Sequence, residues 1–230
     1  MIVPHTFDEV SHRYLVEGHY CLSTSDILEL NCFSDYGQIP KAVLDNASWR
    51  GTEVHKAIQF FEEGELDMDS VHPEIAPYFM GYLKFKAVTG FEPVRPCENR
   101  ICYLMESGGK DDVAIGTTTD LRGTINGKPY IIDVKTSYRA SGMAKKQTLL
   151  KWRMQLASYR EATLLDEAWW ALLETDKAPC TAVVHVNKEG TWAIDKDFYD
   201  FTACEDSANW AACVRLATLK LSNGHQLRQK

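Results

Sequence analysis

The sequence predicts a single α/β unit with a mixed central sheet flanked by helices, and three observations carry that expectation. Alternating strand patterns fill Arg100 to Met105, Ala114 to Thr124 and Lys128 to Thr136. Stretches with apolar residues three or four apart lie on both sides of them. A chain of 230 residues with 45% hydrophobic content can bury one substantial core.

Taken in order, Arg13-Tyr-Leu-Val turning at Glu17-Gly18 reads as a small hairpin, and Ser23-Thr-Ser-Asp as the cap of a short helix. Residues 1–39 are therefore expected to be an accessory element and 40–230 the core. A helix is expected from Pro40 to about Glu63, stopped by Gly64 after Phe60 and Phe61. A second, about Pro73 to Val88, spaces Ile75, Tyr78, Phe79, Tyr82 and Phe85 as a core face. Asn126-Gly127 between two strand patterns is a strong hairpin signal, because both residues tolerate the positive φ of a type I′ turn. A helix over roughly Gln147 to Leu165 follows, then a strand Thr181 to Val186, a turn at Lys188-Glu-Gly190, a strand Thr191 to Asp195 and a closing helix from about Asp206 to Leu219.

The bulk properties exclude several classes. No apolar run is long enough for a membrane span, and Met1 to Asp8 lacks an export pattern. Seven scattered cysteines without C-x-x-C spacing imply neither a disulfide framework nor a zinc or iron-sulfur cage, so a cytoplasmic location is expected. No G-x-x-x-x-G-K-[ST] loop is present, so no nucleotide cofactor is expected. The net charge of -7 disfavours bulk electrostatic coating of nucleic acid. The charge is unevenly spread, however. Acid gathers at Glu62, Glu63, Glu65, Asp67 and Asp69, whereas Val134 to Arg160 holds Lys135, Arg139, Lys145, Lys146, Lys151, Arg153 and Arg160 without a carboxylate. Such a run is either a solvated helix face or a local phosphate-binding face.

If Asn126 and Gly127 are the central turn residues, strand partners sum to 253 and Asp120 lies opposite Asp133. Two carboxylates at roughly 5 Å repel by about 3 kcal/mol at an effective dielectric near 20, so positive charge is needed between them. Lys135, on the same strand face as Asp133, supplies one charge, and a hard divalent cation such as Mg2+ the rest through oxygen ligands.

Thr119-Asp120 followed by Asp133-Val-Lys135 resembles the core of the PD-(D/E)XK nuclease superfamily. Two more matches, in order, are similar to its RecB-like branch: Gly51-Thr-Glu-Val-His55 upstream and Gln155-Leu-Ala-Ser-Tyr159 downstream. Helical spacing of four puts each pair on one face. The resemblance implies a restriction-endonuclease-like core and a site with Mg2+ or Mn2+, one or two ions, held by Asp120, Asp133, the Val134 carbonyl, His55 and, as a softer candidate, Glu98. It also implies that Lys135 positions water or stabilises phosphate charge, with Gln155 and Tyr159 beside the scissile phosphate. Arg139, Lys145, Lys146, Lys151 and Arg153 would then line the path of the DNA, and Trp152 would stack on a base or pack in the core.

The likeness is closest to small phage- and prophage-encoded exonucleases that lack an iron-sulfur cluster. It implies a metal-dependent DNA exonuclease of recombination, repair or phage DNA processing, with any unwinding supplied by a helicase or recombination partner. Two alternatives stay open: an inactive DNA-binding or assembly module, and a nuclease of RNA or branched structures. Two departures stand out. Thr117 replaces the glycine usual three residues before the first acid, with Gly116 one place earlier, and threonine replaces the superfamily's proline. The first implies a locally altered strand, with a slipped register or a bulge.

Overall fold

The computed structural model describes residues 1–31, 39–106, 112–136, 146–173, 178–194, 203–224 and 226–227. Strands β1 (Thr6–Asp8), β2 (Arg13–Val16) and β3 (His19–Tyr20) form a small antiparallel sheet whose tight turn uses positive φ at Glu17 and Gly18. Strand β4 (Leu22–Ser23) leads into α1 (Thr24–Leu30), which starts where the sequence expects it. Ser23 accepts from the Asp26 N–H while the Asp26 carboxylate accepts from the Ser23 N–H, a reciprocal cap.

Helix α2 (Lys41–Glu63) begins after Pro40 and ends on Gly64, which takes the left-handed conformation (φ 79°). Glycine does so without steric cost. Helix α3 (Ala76–Thr89) buries Tyr78, Phe79, Tyr82 and Phe85 of the expected core face, and Ile75, at its N-cap, is buried with them. It is clamped to α2 by Glu62, whose buried carboxylate accepts from the Tyr82 hydroxyl (2.7 Å) and the Lys86 ammonium. Glu62 therefore stands apart from the acidic surface run in which the sequence places it.

The remaining elements are β5 (Glu92–Pro93), β6 (Asn99–Glu106), β7 (Asp112–Thr119), β8 (Leu121–Ile125), β9 (Lys128–Thr136), α4 (Lys146–Leu164), α5 (Glu167–Leu173), β10 (Cys180–Val186), β11 (Trp192–Ile194) and α6 (Ala203–Ser222). A five-stranded sheet runs β11-β10-β9-β8-β5 and a three-stranded one β4-β7-β6. In the larger sheet β9 and β10 are parallel and the other pairs antiparallel, so the sheet is mixed. Alternation divides the residues of β9 between its faces. Tyr130, Ile132 and Val134 pack against α2 and α3, whereas Ile131 packs with Leu156 and Tyr159 of α4. The expected α/β class, with a mixed sheet between helices, is the observed one. Within the 1–39 segment, β4 pairs with β7, and Ile27 and Leu28 share a core with Tyr103, Ile115, Met154 and Trp210.

One expectation is corrected. Ala114 to Thr124 is not one strand: β7 and β8 belong to different sheets, and the break falls at Asp120. The Asn126-Gly127 turn has positive φ at both residues, and every β8–β9 pair from Ile125↔Lys128 to Leu121↔Ile132 sums to 253. The register neither slips nor bulges; it stops one pair short of placing Asp120 opposite Asp133. Thr119 instead faces Asn99 in the smaller sheet. The glycine displaced in the sequence also has a physical cause. A side chain at Gly116 would sit 2.3 Å from the ring of Tyr14, which crosses β7 there.

Candidate functional site

Because β8 begins only at Leu121, the backbone of Val134 has no β8 ladder partner, and side chains take its place. The Val134 N–H donates to Asp120 Oδ2 (2.8 Å), and the Val134 carbonyl accepts from His55 Nε2 (2.9 Å). The strand break thus places Asp120 beside β9. Helix α2 delivers His55 to the same point, one turn after Gly51, where an added Cβ would meet open space. Glu98 precedes β6 with φ 50°, an uncommon conformation for a non-glycine residue. Its N–H donates to the Asp120 carbonyl (3.0 Å), and its carboxylate takes His55 Nδ1 at 3.0 Å. His55 Nε2 is also 3.7 Å from Asp120 Oδ2.

Asp133 and Lys135 share the α4 face of β9. Asp133 is fully buried, and Lys135 Nζ donates to its Oδ1 (2.8 Å) while lying 2.7 Å from Oδ2. The ammonium thus lies against both carboxylate oxygens, and among the described residues Oδ2 is held by this ion pair alone. Lys135 also reaches Gln155 Oε1 (3.3 Å), and Gln155 Nε2 donates to the Tyr159 hydroxyl (2.6 Å). The helical spacing of Gln155 and Tyr159 becomes a relay from α4 to the lysine.

The electrostatics follow from this geometry. Burial raises Asp133 to about 6, opposed by Lys135 and reinforced by Asp120. Asp120 is likewise raised, by burial and by Glu98, against His55 and Lys135. Burial by itself would lower His55, but the carboxylates of Asp120 and Glu98 prevail and hold it at about 10. Both ring nitrogens accordingly act as donors, and the imidazolium is the internal cation among Glu98, Asp120 and the Val134 carbonyl. Tyr159 is raised well above an ordinary phenol, by burial and by the negative field of Asp120 and Asp133, and stays protonated. Among the described residues, the carboxylates of Glu98, Asp120 and Asp133 outnumber the cations of His55 and Lys135 by one.

His55, Glu98 and Asp120 each offer a ligand atom within 4.8 Å of the others. A cavity of about 10 Å³ bounded by these residues and Val134 has room for a single water-sized body. Of the expected site residues, the structure brings together His55, Glu98, Asp120, Asp133, Val134, Lys135, Gln155 and Tyr159. The Val134 carbonyl is engaged by His55 here. An open cleft of about 1120 Å³ passes His55, Glu98 and Lys135, with Lys56 and Arg100 also on its walls.

Of the expected DNA-contacting residues, those with described side chains are Lys151, Trp152 and Arg153, all on α4. Trp152 packs on His185 (ring centroids 5.0 Å apart) and against the Ile131–Tyr159 cluster, the core alternative for this residue. The Arg153 guanidinium pairs with Asp206 (2.9 Å), and Lys151 lies on the same helix, half-buried. Arg139 and Lys145 fall outside the described residues, as does the side chain of Lys146. Sequence reasoning assigned the small N-terminal sheet no role, yet Phe7 and His12 stand on the cleft wall. The aromatic and basic residues at 7, 12, 13 and 14 were the available signal.

No protein-family model matches the sequence, and no curated protein matches it. A solved structure titled "Crystal structure of SSO0001" is similar to 77% of this chain over 76% of its own, at 18% identity and a TM-score of 0.39.

Proposed function

We propose that this chain is a metal-dependent nuclease of the RecB-like PD-(D/E)XK type, hydrolysing phosphodiester bonds in DNA, with exonuclease action in recombination, repair or phage DNA processing. One observation carries the reading. Seven side chains, from α2, the Glu98 turn, the Asp120 strand break, β9 and α4, converge on the backbone of one residue, Val134, and its neighbours. Pairwise core packing does not require that convergence of carboxylates, imidazole and lysine.

The donor set fits a hard or borderline divalent cation. It offers carboxylate oxygens and one imidazole, and the ligand atoms of His55, Glu98 and Asp120 lie within 4.8 Å of one another, as the ligands of one ion do. His55, Glu98, Asp120 and Asp133 would hold Mg2+ or Mn2+, and the imidazole makes Mn2+ an effective substitute. When bound, the cation supplies water activation and charge neutralisation at the phosphate. The residues of the chain do the rest. Lys135 carries its positive charge at the mouth of the site, held by Asp133 and Gln155, where it attracts the phosphate and steadies the developing negative charge. The protonated Tyr159, braced by Gln155, extends the same polar edge. Glu98, held by the Asp120 carbonyl, orients His55.

The test sets labelled single-stranded DNA, duplex DNA, RNA and a branched DNA side by side in Mg2+, Mn2+ or EDTA. Metal-dependent DNA cleavage is expected, lost in folded Asp120→Ala and Lys135→Ala. Cleavage in Mg2+ with none in Mn2+ would remove His55 from the ligand set. A fully active Lys135→Ala would overturn the proposal, and cleavage confined to RNA or branches would move the substrate.

A further inference from the structure

A second depression adjoins the site. It has a volume of about 200 Å³ and lies between the N-terminal hairpin, the start of α1, β7 and α4. Its walls include Phe7, His12, Ser25, Thr117, Thr118 and Tyr159. It shares Phe7, His12, Ser25 and Thr118 with the large cleft, so the two are continuous, and Gln155 and Tyr159 join its wall to Lys135. We propose that this pocket holds the sugar and base of one unpaired nucleotide beside the phosphate under attack, so that the enzyme acts on unpaired strand ends. The inference rests on the nuclease reading.

The lining chemistry selects this occupant. Among the described lining residues there is no lysine, arginine, aspartate or glutamate, and His12 and the tyrosines are the titratable ones, so the lining suits a neutral group better than a phosphate or a cation, whose burial requires opposite charge. It offers hydroxyls and an amide in front of aromatic rings, which match the hydrogen-bonding edges and flat faces of a nucleoside. The walls are fixed in advance. Tyr14 is buried across Gly116 and its hydroxyl bonds Thr118; Thr24 bonds Ser158 (2.7 Å) and Thr117 (3.0 Å). Phe7 stands edge-on to Tyr14 (4.9 Å) and carries the Arg100 guanidinium 4.0 Å over its ring, with Glu9 pairing Arg100 from outside. This gives a rigid aromatic and cationic shelf at the junction of pocket and cleft. The pocket is smaller than the 300 to 1,000 Å³ usual for whole ligands. A nucleoside suits it and a base pair does not, so a strand end must be unpaired there.

The experiment compares duplexes with blunt ends and with unpaired three-nucleotide ends, alongside bis(p-nitrophenyl) phosphate, a diester without a nucleoside. It uses the full chain in Mn2+ and its variants Ser25→Trp, which fills the pocket from an exposed position, and Phe7→Ala, which removes the shelf. In EDTA, 2-aminopurine at the strand end reports pocket entry by fluorescence. Wild type is expected to favour unpaired ends at least tenfold in kcat/KM. Both variants should raise KM on them about tenfold, the scale of one lost stacking contact. The same variants should abolish the 2-aminopurine change and leave bis(p-nitrophenyl) phosphate turnover intact. Equal use of blunt and unpaired ends by wild type and both variants, with the small diester still cleaved, overturns the pocket and leaves the nuclease standing. Failure of every substrate, the small diester included, in Mn2+ overturns both.

Discussion

Replacing Lys135 with methionine isolates the electrostatic core of the site. Asp133 is fully buried, and Lys135 Nζ, at 2.7 to 2.8 Å from its oxygens, is the cation facing it. At an effective dielectric of about 20 that attraction is worth about 6 kcal/mol before desolvation. Breaking a buried pair from one side costs about 3 to 5 kcal/mol, because the other charge stays buried alone. For a chain of this length that is a fall in Tm of about 10 °C. The cost depends on pH with a definite sign. Asp133 titrates at about 6 when folded, above its unfolded value, and losing Lys135 raises it further. A raised carboxylate favours folding at low pH, where it is neutral, and disfavours it as pH rises and the unfolded chain ionises first. The Tm gap between Lys135→Met and wild type, followed by circular dichroism in EDTA, should therefore be largest near pH 8 and shrink towards pH 4. Adding Asp133→Asn should restore most of the loss at pH 8. A gap independent of pH, or no rescue by Asp133→Asn, would refute the argument.

Other predictions follow from the same geometry. Binding of Mn2+ at pH 8 should release about one proton per ion, because His55, held protonated with a pKa of about 10, must yield its proton to ligate. Calorimetry in two buffers of different ionisation enthalpy reads this directly, and zero release would exclude His55 as a ligand. Gly116→Ala should cost about 1 to 3 kcal/mol through the clash with Tyr14, and Tyr14→Ala in the same chain should recover part of it in urea unfolding. Asp166→Ala should cost about 3 to 5 kcal/mol, since it strands the buried Arg122 that it pairs at 2.6 Å. An unchanged urea midpoint there would show that Arg122 finds water instead.

Local chemistry explains which parts of this architecture could be read in advance. Pro40, Gly64, the Ser23 cap and Asn126-Gly127 act within a few residues, and each marks an observed boundary or turn. The hairpin register followed from the turn and holds at every pair it makes. The break at Asp120 could not be read, because a strand pattern continues on both sides of Asp120 and the switch between sheets is set by Asn99 and Glu98 across the fold. Short elements such as β5, two residues long, carry too little pattern to be seen, and their presence depends on a close approach at Gly123. The site residues His55, Asp120, Asp133, Lys135, Gln155 and Tyr159 were legible as ordered motifs. The fate of Trp152 and Arg153 was not, since their partners His185 and Asp206 lie far along the chain.

The most direct test of the central claim is cleavage of end-labelled DNA by wild type and by Asp133→Asn, which keeps the side chain's shape and removes its charge, in Mg2+, Mn2+ and EDTA. The account predicts release of label by wild type in either metal, none in EDTA, and a loss of at least a hundredfold in a folded Asp133→Asn. Equal cleavage by both proteins, or cleavage that persists in EDTA, would contradict it.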